Sequence, residues 1–341
     1  MQSQEQILSR ARAFLARSLG EAAACACLEG KALRGGTEAS SVVMVTARYH
    51  DRTGRPAMQR FVVKHLRGRA AREGMIYESL LPNHAGRLAP RMLGRLPLEA
   101  DGSLLFIEAI RRAQAWPWRD LRLGEDLLRR LAALHAGSPP AVQAMPDWDY
   151  MAELQTMAEA AYAALDACRL HPDLAVLARE RRRVERIVLG LPALRAGLLA
   201  EQPFGIRLLH GDMHAGNALV CLRGRGVEPV LIDWGRARLG SPFEDVSSWL
   251  QSLRFWEPQV QRFHDSLLKA YLSGLGLPQR LTTQVRAAYW VAAACNALAG
   301  ALLYHLHMAR DPYQGTVRRA AAFHAARDWL RVLRRAAAWA C

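Results

Sequence analysis

Acidic residues are scarce in this 341-residue chain: 31 Asp and Glu stand against 46 Lys and Arg, a formal charge of +15. Such a balance favours anionic partners such as nucleotides, phosphorylated metabolites, nucleic acid or anionic membrane surfaces, and it equally describes a solvated Arg-rich surface. Cysteine is sparse too. Cys25, Cys27, Cys168, Cys221, Cys295 and Cys341 are scattered without a C-x-x-C pair, which argues against a disulfide framework and for reduced thiols in a cytoplasmic setting. No continuous apolar run opens the chain, so no secretory signal is expected. Zinc-finger spacings, RNP aromatic motifs and basic repeats are missing as well, and no specific nucleic-acid partner is expected. Internal repeats, low-complexity linkers and heptads are also lacking. Residues 287–309 carry no Asp, Glu, Lys or Arg, yet they are alanine-rich and include Asn296, His305 and His307. They read as a buried helix rather than a membrane span.

What is present is ordinary globular composition, 51% hydrophobic and 23% charged, on a chain long enough for one large domain or two lobes. Ile7, Leu8, Ala11, Leu15 and Leu19 recur at near-helical spacing and predict an amphipathic first helix. An Arg-rich transit peptide is the alternative there, against which Glu5 and Glu21 count. Val42-Val43-Met44-Val45-Thr46, a turn through Gly54 and Pro56, and Phe61-Val62-Val63-Lys64 predict strand, turn and strand. A helix over 70–81, stopped by Pro82, should follow. Strands over 91–96 and 104–108 should be joined by a turn at Asp101-Gly102. From about Gly124 helical periodicity dominates, interrupted by short strands near 207–209 and 230–232. The expected fold class is α+β, with a β-rich lobe over 1–110 and a mainly helical lobe over 111–341.

The densest polar cluster is His210-Gly211-Asp212-Met213-His214-Ala215-Gly216-Asn217, directly after an apolar run. A second apolar run, Val230-Leu231-Ile232, ends in Asp233-Trp234-Gly235. Carboxylates and an amide at strand ends suit Mg²⁺, which prefers hard oxygen ligands. Phosphoryl transfer asks the protein mainly for positioning and charge neutralisation. One aspartate takes the attacking hydroxyl's proton while an Asn and a second Asp hold the metal. The protein-kinase catalytic loop sets its Asp and Asn five positions apart, and Asp212 and Asn217 are five apart. Alone, Asp212 reads as a turn residue, Asn217 as a helix cap and Asp233 as a strand-end carboxylate; the joint spacing lifts all three. His210 and His214 sit four apart, but Gly211 stands where the H-E-x-x-H zinc motif needs glutamate. Both histidines read as structural. Asp245 reads as the cap of the helix that follows.

H-G-D-x-H-x-x-N followed by I-D-W resembles the aminoglycoside phosphotransferase and choline kinase group, which shares the two-lobed protein-kinase-like fold. The likeness runs in order over about residues 30–250. Gly35-Gly36 with Ser40-Ser41-Val42 resembles the turn that covers the nucleotide, which implies Gly36 and Ser40 as binding residues. Lys64 resembles the lysine that meets the α- and β-phosphates, and Glu73 its ion-pair partner, with Glu78 as the fallback. Leu105-Phe106-Ile107-Glu108-Ala109 resembles the hinge, implying that Ile107 and Ala109 receive the base. Leu131-Ala132-Ala133-Leu134-His135 and Gly240-Ser241-Pro242-Phe243-Glu244-Asp245 match further family segments. The Gly35-Gly36 turn departs from the G-x-G-x-x-G of protein kinases. The resemblance implies transfer of the γ-phosphoryl group of ATP or GTP to a small-molecule hydroxyl, with Mg²⁺ on Asn217 and Asp233 and Asp212 as base. A catalytically weak nucleotide-binding scaffold of the same fold is the rival reading. Residues 246–341 hold twelve bases against four acids, which disfavours a strongly cationic acceptor.

Overall fold

A computed structural model describes residues 4–340 apart from 21–24, 34–38, 52, 99–101, 111–112, 118, 138, 140–144, 146–147, 201–203, 224–225 and 257. The expected amphipathic helix is α1 (Gln4–Leu19), and its buried side carries Ile7, Ala11 and Leu15. It covers one face of an antiparallel sheet made of β1 (Cys27–Ala32), β2 (Ser41–His50), β3 (Pro56–Arg67), β4 (Met92–Pro97) and β5 (Gly102–Glu108). The strand order is β1-β2-β3-β5-β4. Strand alternation puts Val43, Val45, Phe61, Val63, Leu104 and Phe106 on the covered face, and Phe14 stacks on Phe106 at 4.0 Å between centroids. Gly94 lets the helix approach, since a Cβ there would stand 2.6 Å from the Phe14 ring.

Between β3 and β4 the chain departs from the single helix expected over 70–81. A 3₁₀ turn (Gly68–Ala71) leads into α2 (Arg72–Ser79), and a separate turn α3 (Leu81–His84) follows. Pro82 lies in the first turn of α3, where its missing N–H costs nothing, so it opens a helix rather than ending one. The turn expected at Asp101-Gly102 has Asp101 outside the described residues, and Leu98 N–H donates to the Gly102 carbonyl at 2.9 Å. A two-residue strand, β6 (Gln114–Ala115), ends this part of the chain.

Helices follow as expected: α4 (Leu121–Ala136), α5 (Tyr150–Ala167) and α6 (Arg181–Ala200). Asp120 and Asp149 cap α4 and α5 by accepting from Leu123 and Ala152 N–H. Next come β7 (Arg207–Leu209), the hairpin of β8 (Ala218–Arg223) and β9 (Gly226–Leu231), and β10 (Arg238–Gly240), which pairs with β7. The remainder is α7 (Pro242–Trp256), α8 (His264–Gly274), α9 (Thr283–Asn296), α10 (Leu302–Arg310) and α11 (Thr316–Ala340). A π-helical segment, Ala297–Ala301, joins α9 to α10, with Gly300 at φ 130°. The continuous stretch Thr283–Arg310 is long and apolar enough to cross a membrane, but Ala292, Ala293, Leu298, Leu302 and Leu306 are fully buried against neighbouring helices.

The chain forms two compact units. One is built mainly from Met1–Trp116 and Gly216–Ala237, the other mainly from Pro117–Pro139, Asp147–Ala215 and Arg238–Cys341. In the second unit α8 lies close on α4: a Cβ at Gly274 would stand 2.7 Å from the Ala132 Cβ and 3.1 Å from the Arg129 Cα. Gly274→Ala gains about 1 kcal/mol of helix propensity at most, whereas overpacking against backbone costs roughly 1–3 kcal/mol. A net loss of stability is expected, read as a lower urea midpoint.

Candidate active site

A buried ammonium needs an anion close by, and Lys64 has two. It projects from β3 between Val63 and His65 and is 7% exposed. Its Nζ donates to Glu73 Oε1 at 2.7 Å and to Asp233 Oδ1 at 3.0 Å. Glu73 lies in the first turn of α2 and is buried, while Glu78 pairs outward with Arg95, so the partner is Glu73 and not its neighbour. Burial works against the Lys64 cation, but Glu73 and Asp233 outweigh it and hold its pKa above the ordinary lysine value. Full burial pushes the Glu73 carboxyl up against the pull of Lys64. One ammonium facing two carboxylates leaves the trio with a surplus negative charge on the more open Asp233.

Asp233 is also the one non-glycine residue with positive φ among those described, at φ 66°, ψ 63°. A left-handed residue costs energy, and such strain collects at functional sites. The segment after it is clamped by α2: Glu73 accepts from Trp234 N–H, and Arg72 Nη1 donates to the Gly235 carbonyl at 2.7 Å. The β8–β9 hairpin closes the sixteen residues between Asn217 and Asp233. Its register pairs Ala218 with Leu231, and Ile232 N–H donates to the Asn217 carbonyl at 2.9 Å. Asn217, itself buried, thus stands beside the start of the Asp233 turn. A carboxylate and an amide with net negative charge are a donor set that fits Mg²⁺.

The other residues expected to meet the nucleotide lie in the same unit. Ser40 N–H donates to the His65 carbonyl at 3.0 Å, next to Lys64. Ile107 is buried within β5 between Val62 and Met92, and Ala109 is past the last ladder pair, lining a cavity with Met44 and Thr46. Gly36, with Gly35, lies outside the described residues.

Asp212 belongs to the second unit, on the loop after β7, with its side chain 39% exposed and its Oδ2 at 3.7 Å from His214 Nε2. Asp245 does not cap a helix start as expected. It sits inside the first turn of α7, and its two carboxylate oxygens accept from the backbone N–H of His210 (2.7 Å) and Gly211 (2.9 Å). Burial raises the Asp245 carboxyl, but His135, His210 and the Gly211 N–H outweigh it and hold the pKa below the ordinary range. His135, wholly buried, lies 3.3 Å from Asp245 and 2.8 Å from the Tyr271 hydroxyl. Gly211 takes φ 82°, which explains a glycine before Asp212.

The sequence profile of the phosphotransferase enzyme family matches residues 31–289. The chain belongs to this family. It is a phosphotransferase that acts on an alcohol group. No curated protein sequence matches it. Among solved structures it is similar to an ethanolamine kinase of Plasmodium vivax, at 13% identity and TM-score 0.59, covering 96% of this chain and 89% of that one. It is also similar to a choline kinase of Streptococcus pneumoniae, at 14% identity and TM-score 0.57 (95% and 99%). An amicoumacin kinase in complex with AMP-PNP and Ca²⁺ is a third, at 15% identity and TM-score 0.58 (96% and 94%). These likenesses show the kinase-like α+β fold.

This phosphotransferase also carries a buried network that no sequence pattern announced. Arg238 donates through Nη1 to the Gly211 carbonyl at 2.8 Å and through Nη2 to Glu244 Oε2 at 2.6 Å. Its guanidinium lies 3.9 Å from the centroid of the Tyr150 ring, and Arg195 approaches Glu244 from the other side at 3.3 Å. Gly240 leaves room for that carboxylate, since a Cβ there would stand 3.1 Å from Glu244 Oε2. Each contact spans elements far apart in sequence, so no local signal exists. Arg238→Met should lower kcat about tenfold or more by freeing the loop, with nucleotide KM nearly unchanged. Steady-state kinetics at saturating nucleotide check this.

Proposed function

We propose that this phosphotransferase transfers the γ-phosphoryl group of ATP or GTP to the hydroxyl of a small molecule, with Asp212 as the base. What carries the reading is the buried Lys64–Glu73–Asp233 trio with Asn217 beside it: a cation held for phosphate oxygens next to surplus negative charge for a metal. Lys64, kept in place by Glu73, meets the α- and β-phosphates. Ser40 and Gly36 cover them, and Ile107 and Ala109 receive the base. Asn217 and Asp233 hold Mg²⁺, which supplies neutralisation of the phosphate charge. Asp212 takes the proton as the acceptor oxygen bonds to the γ-phosphorus and the bond to the β-phosphate oxygen breaks, leaving the nucleoside diphosphate. In functional terms, residues 1–110 form the nucleotide lobe and 111–341 the catalytic lobe, with 216–237 packed on the former. The proposed setting is the cytoplasm.

The test is nucleotide consumption by the full chain across a panel of hydroxyl compounds, with and without Mg²⁺. Metal-dependent formation of diphosphate, raised by at least one acceptor, is expected. Tight nucleotide binding with no turnover above background for any acceptor would favour the scaffold reading instead.

A further inference from the structure

The second unit contains a cavity of about 150 Å³ on which the phosphotransferase chemistry makes no claim. Its walls come from α7, the 3₁₀ turn Pro258–Phe263, α8, α9 and α11. The back is polar and satisfied. Gln251 Nε2 donates to the Tyr289 hydroxyl at 2.7 Å, and that hydroxyl lies 2.7 Å from His264 Nε2. Burial lowers the His264 pKa and outweighs the pull of Asp265, so the imidazole stays neutral at pH 7. Arg286 Nη2 donates to Asp265 Oδ2 at 3.0 Å, which cancels one charge of each sign. That leaves Arg335. Its guanidinium lies 5.2 Å from the Trp290 ring centroid, and it has no carboxylate partner among the described residues.

The cavity therefore has a net charge of +1 beside an indole. A guanidinium presents a planar fork of donors that matches the two oxygens of a carboxylate or phosphate. A space on the order of 150 Å³ holds a benzene-sized body. Position supplies the second argument. Asp245, in the first turn of α7, holds the backbone of the Asp212 loop, and Gln251 on the cavity wall is six residues further along the same helix. At 1.5 Å per residue that is roughly 9 Å along the axis. A ligand anchored in the cavity and about that long reaches the loop.

We propose that the acceptor bears an oxyanion, carboxylate or phosphate, on a ring-sized apolar body, and that Arg335 seats this group in the cavity over Trp290, with Arg286 as the second donor. This rests on the kinase reading for the role of the bound molecule, though not for its binding. The twelve bases and four acids of residues 246–341 point the same way.

Calorimetry on the full chain tests the binding with four probes: 3-(4-hydroxyphenyl)propionate, its amide, 4-hydroxyphenethylamine and phenyl phosphate. The expected result is that an anionic probe binds at least tenfold tighter than the amide and the amine. That preference should disappear in Arg335→Gln, partly return in Arg335→Lys and persist in Arg318→Gln. The carboxylate and phosphate arms tell the two oxyanions apart. Equal binding of amide and anion, a preference for the amine, no binding of either anion, or indifference to Arg335→Gln would overturn the proposal. The second arm is the acceptor screen. Compounds that raise diphosphate formation should be anionic, and their KM should rise about tenfold or more in Arg335→Gln with kcat within about threefold. A stimulating neutral or cationic compound whose KM ignores Arg335 overturns the acceptor assignment. Anion binding measured in Asp212→Asn separates the two readings. Binding intact with turnover undiminished sinks the base alone, and turnover lost with no anion preference sinks the cavity alone.

Discussion

Asp212→Asn should lower kcat by roughly 100- to 10,000-fold, the usual yield of a positioned general base, while nucleotide affinity stays within about twofold. The separation of the two effects follows from where the groups sit. Lys64, Glu73, Asn217 and Asp233 belong to one compact unit and Asp212 to the other, so an isosteric change at 212 leaves the nucleotide side intact. The loop backbone should hold too, because His210 and Gly211 are gripped through their N–H groups by Asp245 and not through the Asp212 side chain. Single-turnover measurement of diphosphate release, with binding of a non-hydrolysable analogue in parallel, reads both quantities. Turnover within a few-fold of the parent enzyme would remove Asp212 from the chemistry.

Lys64→Met carries the second large effect, and here stability and activity part company. Glu73 is 2% exposed, and without Lys64 it becomes a buried carboxylate that lacks its cation. Breaking one side of a buried ion pair costs about 3–5 kcal/mol. The exposure of Asp233, whose side chain is 33% accessible, puts the expected loss near the lower end, about 3 kcal/mol. Adding Glu73→Gln removes the stranded charge and should restore most of that stability. Turnover should stay low in the double variant, because the phosphates have lost their cation. Urea unfolding and steady-state kinetics on the two variants check the pattern. Recovery of activity together with stability would mean that Lys64 serves only the fold.

Much of this was legible in the residues. Alternation in 42–46 and 61–64 foretold β2 and β3, and the spacing of Ile7, Ala11 and Leu15 foretold α1, because each element buries one face and the apolar period reports it. The edge strand β1 was not foreseen. Its burial is slight on both faces, so no period marks it. The β8–β9 hairpin was half seen: β9 follows from its apolar run, whereas β8 directly follows the polar cluster that drew attention to chemistry instead. Asp245 was noticed for the wrong role, since a carboxylate near a helix start suggests a cap, and only its actual bonds reveal a grip on the neighbouring loop.

The sequence by itself determined the chemistry and the order of its parts. Side-chain type and short-range spacing are local properties, and Asp212, Asn217, Asp233 and Lys64 are defined by them. Tertiary structure alone decided the pairings: Glu73 over Glu78 for Lys64, α2 as the clamp on residues 233–235, and Arg238 beneath the Gly211 carbonyl. Such choices depend on which distant segments pack together. That is settled by the collective burial of many side chains, and no single stretch of chain encodes it.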